Sequence, residues 1–230
     1  MQAGLIGLVC CGLLVLAIPR FIASVYALHP EAVYQQIQDN LPVAVYEKSV
    51  SDLSKALVWY ENPDYRQLKA VFLLLIANAQ PADAFQKKRD LILQARDSMI
   101  QGLKLSPVDP YAWFRLATLY QSLNMPDVQI IDTLQMSFYA GRVEPDLLMP
   151  RLVFSYNYFN SFNAEVLALW KKQLPVCWIF HPDKLVEFVA THPNAKHLVE
   201  EALVYSPDDW KKFSYDLEIF LKKNSKQKPD

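Results

Sequence analysis

The side chains that could bind a metal or attack a substrate are few in this sequence, and they are dispersed. The four histidines are His29, His181, His192 and His197. A zinc site needs three or four converging ligands. Cys177 lies close enough in sequence to His181 to suggest itself, but His29, His181 and His192 each precede a proline and read as turn residues. The acid pairs Glu200-Glu201 and Asp208-Asp209 are adjacent, so on a helix their carboxylates diverge. Asp208-Asp209 follow Ser206-Pro207 and read as helix-start residues facing the positive end of the dipole. General acid–base work needs carboxylates that converge in a cleft, and no spacing here supplies them. No catalytic residue, cofactor or metal ligand is assigned, and the expectation is a protein that is not an enzyme.

Glycine narrows the classes further. Of the 5 glycines, only Gly102 and Gly141 lie outside the apolar N-terminus. Phosphate-binding loops and dinucleotide fingerprints need several close glycines so that backbone can approach the ligand. A nucleophile elbow needs two around a serine. Neither can be drawn here. The net charge of -1 and the short basic run "LKKNSKQKPD" argue against a nucleic-acid partner, which calls for a basic stripe. Cys10 and Cys11 sit in the apolar leader and leave Cys177 alone in the body, so no disulfide framework forms there.

What positions the remaining side chains is helix. The 15 prolines recur along the chain, and alternating β-branched runs are lacking. Proline suits a helix's first turn and breaks its interior, so this punctuation predicts many short helices and no parallel sheet.

The N-terminus reads as an address. Ala3 to Leu28 is apolar apart from Arg20, and its 26 residues, at about 1.5 Å rise each, can cross a hydrocarbon layer of about 30 Å. Arg20 can snorkel toward headgroups, and Tyr26 suits the interface. Three readings compete: an uncleaved single-span anchor, a signal peptide cut after Ala27, and a buried core helix. The leader has no early Lys or Arg, which disfavours the signal peptide and leaves orientation open by charge. Val before Cys10 disfavours a lipoprotein. Residues 1-28 are assigned as a membrane anchor or signal-anchor helix.

In the body, "EAVYQQIQDN" after Pro30 predicts a short helix to about Asn40, and Leu68–Ala79 a more fully buried one. "PADAFQKKRD" reads as a polar joint. Ala95, Met99, Gly102 and Leu103 then place small and bulky residues on one helical face, ending at Leu105 and Pro107. Beyond the proline come Trp113, Leu116, Ala117 and Tyr120 at steps of six, three, one and three residues. Small residues let helices approach, and large ones fill the gap beside them. Pro107 stops one helix, Asp109 caps the next, and Pro110 takes its first position. This spacing resembles the joint between two tetratricopeptide repeats, although helical hairpins of another kind share part of it. Ile130, Leu134 and Ser137 continue the pattern after a one-residue insertion. Past Pro145 it fades into further helices, punctuated at Pro175, Pro182, Pro193 and Pro207, that can cap a solenoid.

The whole layout is similar to small bacterial proteins with an N-terminal membrane helix and degenerate repeats, associated with envelope or exopolysaccharide biosynthesis. The segment P-x-x-x-x-A-W-x-R-L-A at Pro107–Ala117 carries the likeness most specifically. An Arg-Leu helix start at Arg151-Leu152 and the later Gln173, Leu174 and Trp178 carry it more weakly, and the match runs from Leu91 to Trp178. The resemblance implies an assembly role, without catalysis, at the bacterial inner membrane.

The expected fold is therefore all-α. An N-terminal transmembrane helix precedes a degenerate tetratricopeptide-like helical-hairpin solenoid over 29-144, a C-terminal helical region over 145-223 and a charged tail over 224-230. The expected function is a membrane-anchored scaffold, its body periplasmic, that holds another membrane or envelope protein. The alternatives are an accessory subunit of a larger membrane complex and, further off, an enzyme acting on envelope glycans. Partner binding is expected at Trp113, Arg115, Tyr120 and Tyr156. Truncating Trp113, read as buried, would cost about 3–5 kcal/mol. The segment "FSYNYFNSF" alternates aromatic and polar residues and is the place expected to hold an exposed patch.

Overall fold

The computed structural model describes the backbone of residues 2–37 and 41–225 and the side chains of 12–37 and 41–224. Among the described residues the fold is all helical, with no strand. The helices are α1 (Gln2–Gln35), α2 (Val43–Trp59), α3 (Pro63–Asn78), α4 (Phe85–Leu105), α5 (Pro110–Ser122), α6 (Asp127–Ala140), α7 (Pro145–Tyr156), α8 (Ala164–Phe180), α9 (Pro182–Thr191), α10 (Lys196–Leu203) and α11 (Pro207–Ser225). The chain divides into two compact units between Met125 and Pro126. Helix α6, which pattern alone assigns to the repeat segment 29-144, packs with α7 and α8 in the second unit.

In the first unit α1 and α2 run antiparallel. The Arg20 guanidinium lies over the Tyr60 ring at 4.9 Å, Lys55 lies near the Tyr26 ring at 5.9 Å, and His29 Nδ1 approaches Asp52 at 3.5 Å. Burial pushes the Asp52 carboxyl up, but hydrogen bonds from Lys48 and Lys55 and their charges outweigh it and hold it below its ordinary value. Ala23 and Ala27, four apart on α1, are wholly buried against a core that includes Leu53, Ala56, Tyr65 and Phe72. Small side chains at such a crossing let two backbones approach, so dispersion contacts accumulate along the seam.

Helix α1 corrects the reading of proline as a break. It runs unbroken through Pro19 and Pro30. Each proline forfeits one intrahelical hydrogen bond, to Val15 and Tyr26 respectively. Pro30 falls on the buried stripe Ala23, Ala27, Pro30, Val33, where packing outweighs that loss. No separate helix starts at Pro30, and the 1-28 boundary does not coincide with a break. Asp39 and Asn40, the expected end of that helix, lie outside the described residues. The stretch expected to be a polar joint, Pro81–Asp90, is helical from Phe85 onward. Its lysines and arginine are polar because that face is exposed or half-exposed.

The break at Pro107 is present. Helix α4 ends at Leu105 and α5 begins at Pro110, with Asp109 Oδ1 accepting from the amides of Tyr111 (2.9 Å) and Ala112 (3.1 Å). Gly102 shows why a small residue is needed at the α3–α4 crossing. A Cβ there would sit 3.2 Å from the Pro63 carbonyl oxygen and 3.2 Å from Arg66 Cβ. Ser98, one turn earlier, donates to the Arg66 carbonyl at 2.8 Å.

The second unit corrects two more breaks. Helix α7 contains Pro150, so Arg151-Leu152 lie mid-helix and do not start one. Helix α8 contains Pro175. Both continue because a buried stripe spans the proline: Leu148, Arg151, Leu152, Ser155 in α7 and Trp170, Leu174, Cys177, Trp178 in α8. The start of α11 is held across the unit. Ser206 Oγ donates to Asp209, and Trp178 Nε1 donates to Asp209 Oδ1 at 3.0 Å. Helix α11 extends to Ser225, so Asn224 and Ser225, expected in the tail, are helical; residues 226–230 lie outside the described residues.

Two predictions follow from this packing. Gly102→Leu should destabilise the protein by about 1–3 kcal/mol through overpacking, read as a lower urea midpoint of the detergent-solubilised chain. The Ser206 hydroxyl first, and the Trp178 indole next, hold the Asp209 carboxyl below its ordinary value. A depressed folded value stabilises above the unfolded carboxylate value of about 3.9 and is lost as pH falls through the folded one. Asp209→Asn, which cannot ionise, should therefore flatten the acid limb of stability below about pH 5 while leaving the curve's shape near neutrality unchanged.

Candidate functional site

Helix α3 was expected to be largely buried. Its Phe72, Leu73, Ile76 and Ala77 are, but Leu68, Val71, Leu74 and Leu75 remain half-exposed. These four form the wall of a groove. Helix α1 supplies Glu31 and Tyr34 to one end, and α5 supplies Arg115 and Leu119 across from the wall. The groove consists of two adjoining hollows of about 180 Å³ and about 150 Å³ that share Val71 and Arg115. The first is framed by the carboxylates of Glu31 and Asp64; the second is lined mostly by apolar side chains and reaches Asn78.

Arg115 stands where the hollows meet. Its Nη2 donates to the Tyr34 hydroxyl at 2.8 Å, tying α5 to α1. The acidic end carries a negative field: burial first, then Glu31 and Asp64, push the Tyr65 hydroxyl above its ordinary value. The floor of this end holds Gln67, only 6% exposed, whose buried side-chain amide nitrogen has no hydrogen-bond partner. A buried donor left unmade costs about 1–3 kcal/mol, so Gln67 carries a local cost beside the groove.

Of the four residues expected to bind a partner, Arg115 lines this groove. Trp113 closes the α4–α5 turn instead, its indole Nε1 donating to the Pro107 carbonyl at 2.8 Å. It is half-buried, so its truncation falls short of the cost of a core tryptophan. Tyr120 is 9% exposed and belongs to the packed face with Leu116 and Ala117. Tyr156 lies in the second unit. There it meets Phe188 edge-on at 5.3 Å and His192 at 5.1 Å and stacks on Trp170 at 6.0 Å. Much of "FSYNYFNSF" is consumed in this aromatic packing, with Phe159 against Trp170 at 5.4 Å. Gln67, Leu68, Val71, Leu74 and Leu75 were missed. A nearly continuous apolar run does not reveal which of its residues the neighbours leave uncovered.

His181 and His192 serve as structural partners. His181 Nε2 meets the Pro145 carbonyl oxygen at 2.7 Å, and His192 stacks on Phe188 at 4.8 Å. Among the described residues no three His, Cys, Asp or Glu side chains gather as a metal site. Cys177 is wholly buried, and burial raises its thiol to about 12 even though the nearby Arg151 pulls it down. A thiol held protonated at neutral pH is a poor nucleophile.

Arg151 is the other group that sequence reading misplaced. It is fully buried and donates to neutral acceptors: Nη1 to the carbonyls of Ser137 (2.8 Å) and Gly141 (2.7 Å), and Nη2 to Gln173 Oε1 (3.2 Å). The guanidinium also lies 5.1 Å from the Phe138 ring centroid. Gln173 in turn donates to the Arg142 carbonyl at 3.0 Å. Ser137 and Gly141 end α6, where unmet carbonyls and the negative end of the helix dipole favour a cation. Arg151 and Gln173, which entered the sequence comparison as separate signals, thus form one clamp on the α6 C-terminus.

No protein-family model matches this chain, and no curated protein matches it.

Arg151→Ala should cost about 3–5 kcal/mol in unfolding free energy, because it opens a cavity and strands buried carbonyls. Arg151→Lys should recover only part of that cost, since an ammonium lacks the planar fork that reaches both helices. Denaturant melts of the full chain followed by tryptophan fluorescence measure both.

Proposed function

We propose that the protein is a membrane-tethered helical-repeat scaffold whose groove between α1, α3 and α5 holds a segment of another membrane or envelope protein. The observation that carries this reading is the unpartnered Gln67 amide in a groove with an apolar wall and a guanidinium at its centre. A polypeptide fits that chemistry. Its backbone carbonyls or a carboxylate accept from Gln67 and Arg115, while its apolar side chains cover Leu68, Val71, Leu74 and Leu75.

The tether rests on α1, which is apolar enough over Gly12–Gln35 to cross a membrane, with a mean hydropathy of 1.6. Ala23 and Ala27 sit inside the first unit's core. A cut after Ala27 would remove both from that core, which favours an uncleaved anchor over a signal peptide. The repeat reading is supported by the break at Pro107 and by burial of Ala95, Met99, Gly102, Leu116, Ala117 and Tyr120, the small and bulky positions of tetratricopeptide-like hairpins. The bacterial inner membrane, a periplasmic body and a role in polysaccharide assembly are proposed from the resemblance at Pro107–Ala117. A permanent place in a larger complex is favoured by one other feature: Tyr215 and Ile219, four apart on α11, are 63% and 47% exposed.

The test is site-specific photocrosslinking in intact membranes. A photoreactive residue at Leu74 should give a discrete adduct to one protein, and the same residue at exposed Glu47 on α2 should not. Gln67→Met should abolish the Leu74 adduct while leaving the thermal midpoint equal or higher, because it removes an unpartnered buried donor at nearly constant volume. Arg115→Glu should abolish it as well. Adducts at Leu74 that survive both substitutions would overturn the groove. An adduct confined to Tyr215 would replace it with the accessory-subunit reading.

A further inference from the structure

Helix α1 changes character along its length. From Leu13 to Ile18 its large apolar residues are exposed on every side, and Phe21 is 69% exposed; the buried stripe starts at Ala23. A helix with large apolar side chains exposed on every side suits hydrocarbon, and that character holds through Phe21. The layer's edge and the onset of docking therefore fall together, near Arg20. At that level α2 ends. The three antiparallel contacts, Arg20 with Tyr60, Tyr26 with Lys55 and His29 with Asp52, fix the register, and the first of them pins the α2 C-terminus beside Arg20. The two residues before Tyr60 are Val58, 84% exposed, and Trp59, 47% exposed. Consecutive Cα atoms are about 3.8 Å apart, so both lie within about 8 Å of the Tyr60 position.

Resting on the anchor reading, we infer that the end of α2 is a second, peripheral membrane contact, with Val58 and Trp59 entering the headgroup–acyl boundary of the bilayer that α1 crosses. The chemistry fits one occupant. An exposed tryptophan beside an exposed valine matches the aromatic belt, where an apolar ring meets a polar indole N–H. Arg20 and Lys55 place two cations at or just above this level, each near a tyrosine ring, where anionic headgroups lie. A water-facing role leaves the apolar surface of Val58 uncovered; a lipid interface covers it without another protein. The contact has a consequence for the groove. One helix alone leaves the first unit free to rock and swivel on the membrane. A second contact beside the first fixes both motions. Tyr34, which marks one end of the groove, is fourteen residues past Arg20 on α1, or about 20 Å higher along the helix. The groove is then held at a set height and facing.

The experiment uses the full chain in vesicles of phosphatidylethanolamine and phosphatidylglycerol, with Cys10→Ala and Cys11→Ala and with the buried, unreactive Cys177 retained. Nitroxide labels are attached through Leu14→Cys, Val58→Cys or Glu47→Cys, and each is relaxed by oxygen, which partitions into lipid, and by a nickel chelate, which stays in water. The expected result is that oxygen dominates at Leu14, oxygen exceeds nickel at Val58, and nickel dominates at Glu47. A Val58 label as open to nickel as the Glu47 label, with Leu14 still in lipid, overturns the second contact and leaves the anchor standing. A Leu14 label open to nickel overturns the anchor and the contact together.

Discussion

The packing of Ala23 and Ala27 into the first unit's core is the constraint on which the rest depends. On the anchor reading it makes one helix serve two solvents. From Leu13 to Ile18, α1 presents large apolar side chains all round, the character a helix needs in lipid. Above Arg20 the same helix turns amphipathic, with two alanines on the seam and Tyr26 and Leu28 outside it. The junction is rigid by covalent continuity: no loop intervenes between the exposed apolar stretch of α1 and the packed stretch. Whatever tilt α1 takes in a bilayer passes directly to α2 and α3. A flexible linker would keep a partner's local concentration high but leave its orientation free. A continuous helix restricts orientation as well.

That continuity depends on prolines the sequence makes look like stops. A proline's local cost is real: it loses one hydrogen bond and crowds the preceding turn. At Pro30, Pro150 and Pro175 the buried stripe runs on across the proline, and the summed burial of several side chains, each worth about 1.5–3 kcal/mol, exceeds it. At Pro107 no such stripe continues. Ser106, Pro107 and Val108 lack a periodic apolar set, Asp109 offers a cap, and the helix ends. The residue type is the same in each case; what differs is whether the apolar period carries on with the same phase past the ring.

This difference marks the limit of what the sequence disclosed. The all-α class, the long apolar leader and the joint at Pro107 were legible because each is written in local spacing. So was the buried face of α4, where Ala95, Met99, Gly102 and Leu103 recur in step. The groove was legible only at Arg115. Gln67 and the half-exposed leucines of α3 sit in an apolar run that looks uniformly buried, and their exposure is decided by α1 and α5, far away in sequence. Trp113 and Tyr156, both half-buried, lie outside that groove. Aromatic content marks both interfaces and cores, and here the indole of Trp113 braces a turn while Tyr156 fills an aromatic cluster.

Two buried polar side chains show how differently the protein treats such groups. Arg151 brings a whole charge into the second unit, yet its fork is matched to carbonyls at the α6 C-terminus, and a ring covers one face. Removing it would leave buried acceptors at the α6 C-terminus short of a donor, so it belongs to the fold. Gln67 is the reverse. Its amide costs stability in the isolated chain, and a methionine of nearly the same volume would pack there without that penalty. Nothing in the folding of α3 against α4 asks for an amide at this position, since the contact with Gly102 is made by the Gln67 Cγ methylene. A polar head on an otherwise apolar stem, buried beside a groove that holds a guanidinium, is a donor that the fold leaves unused. On the proposed scaffold reading, the hydrogen bond missing from the free protein is one that a bound segment would complete.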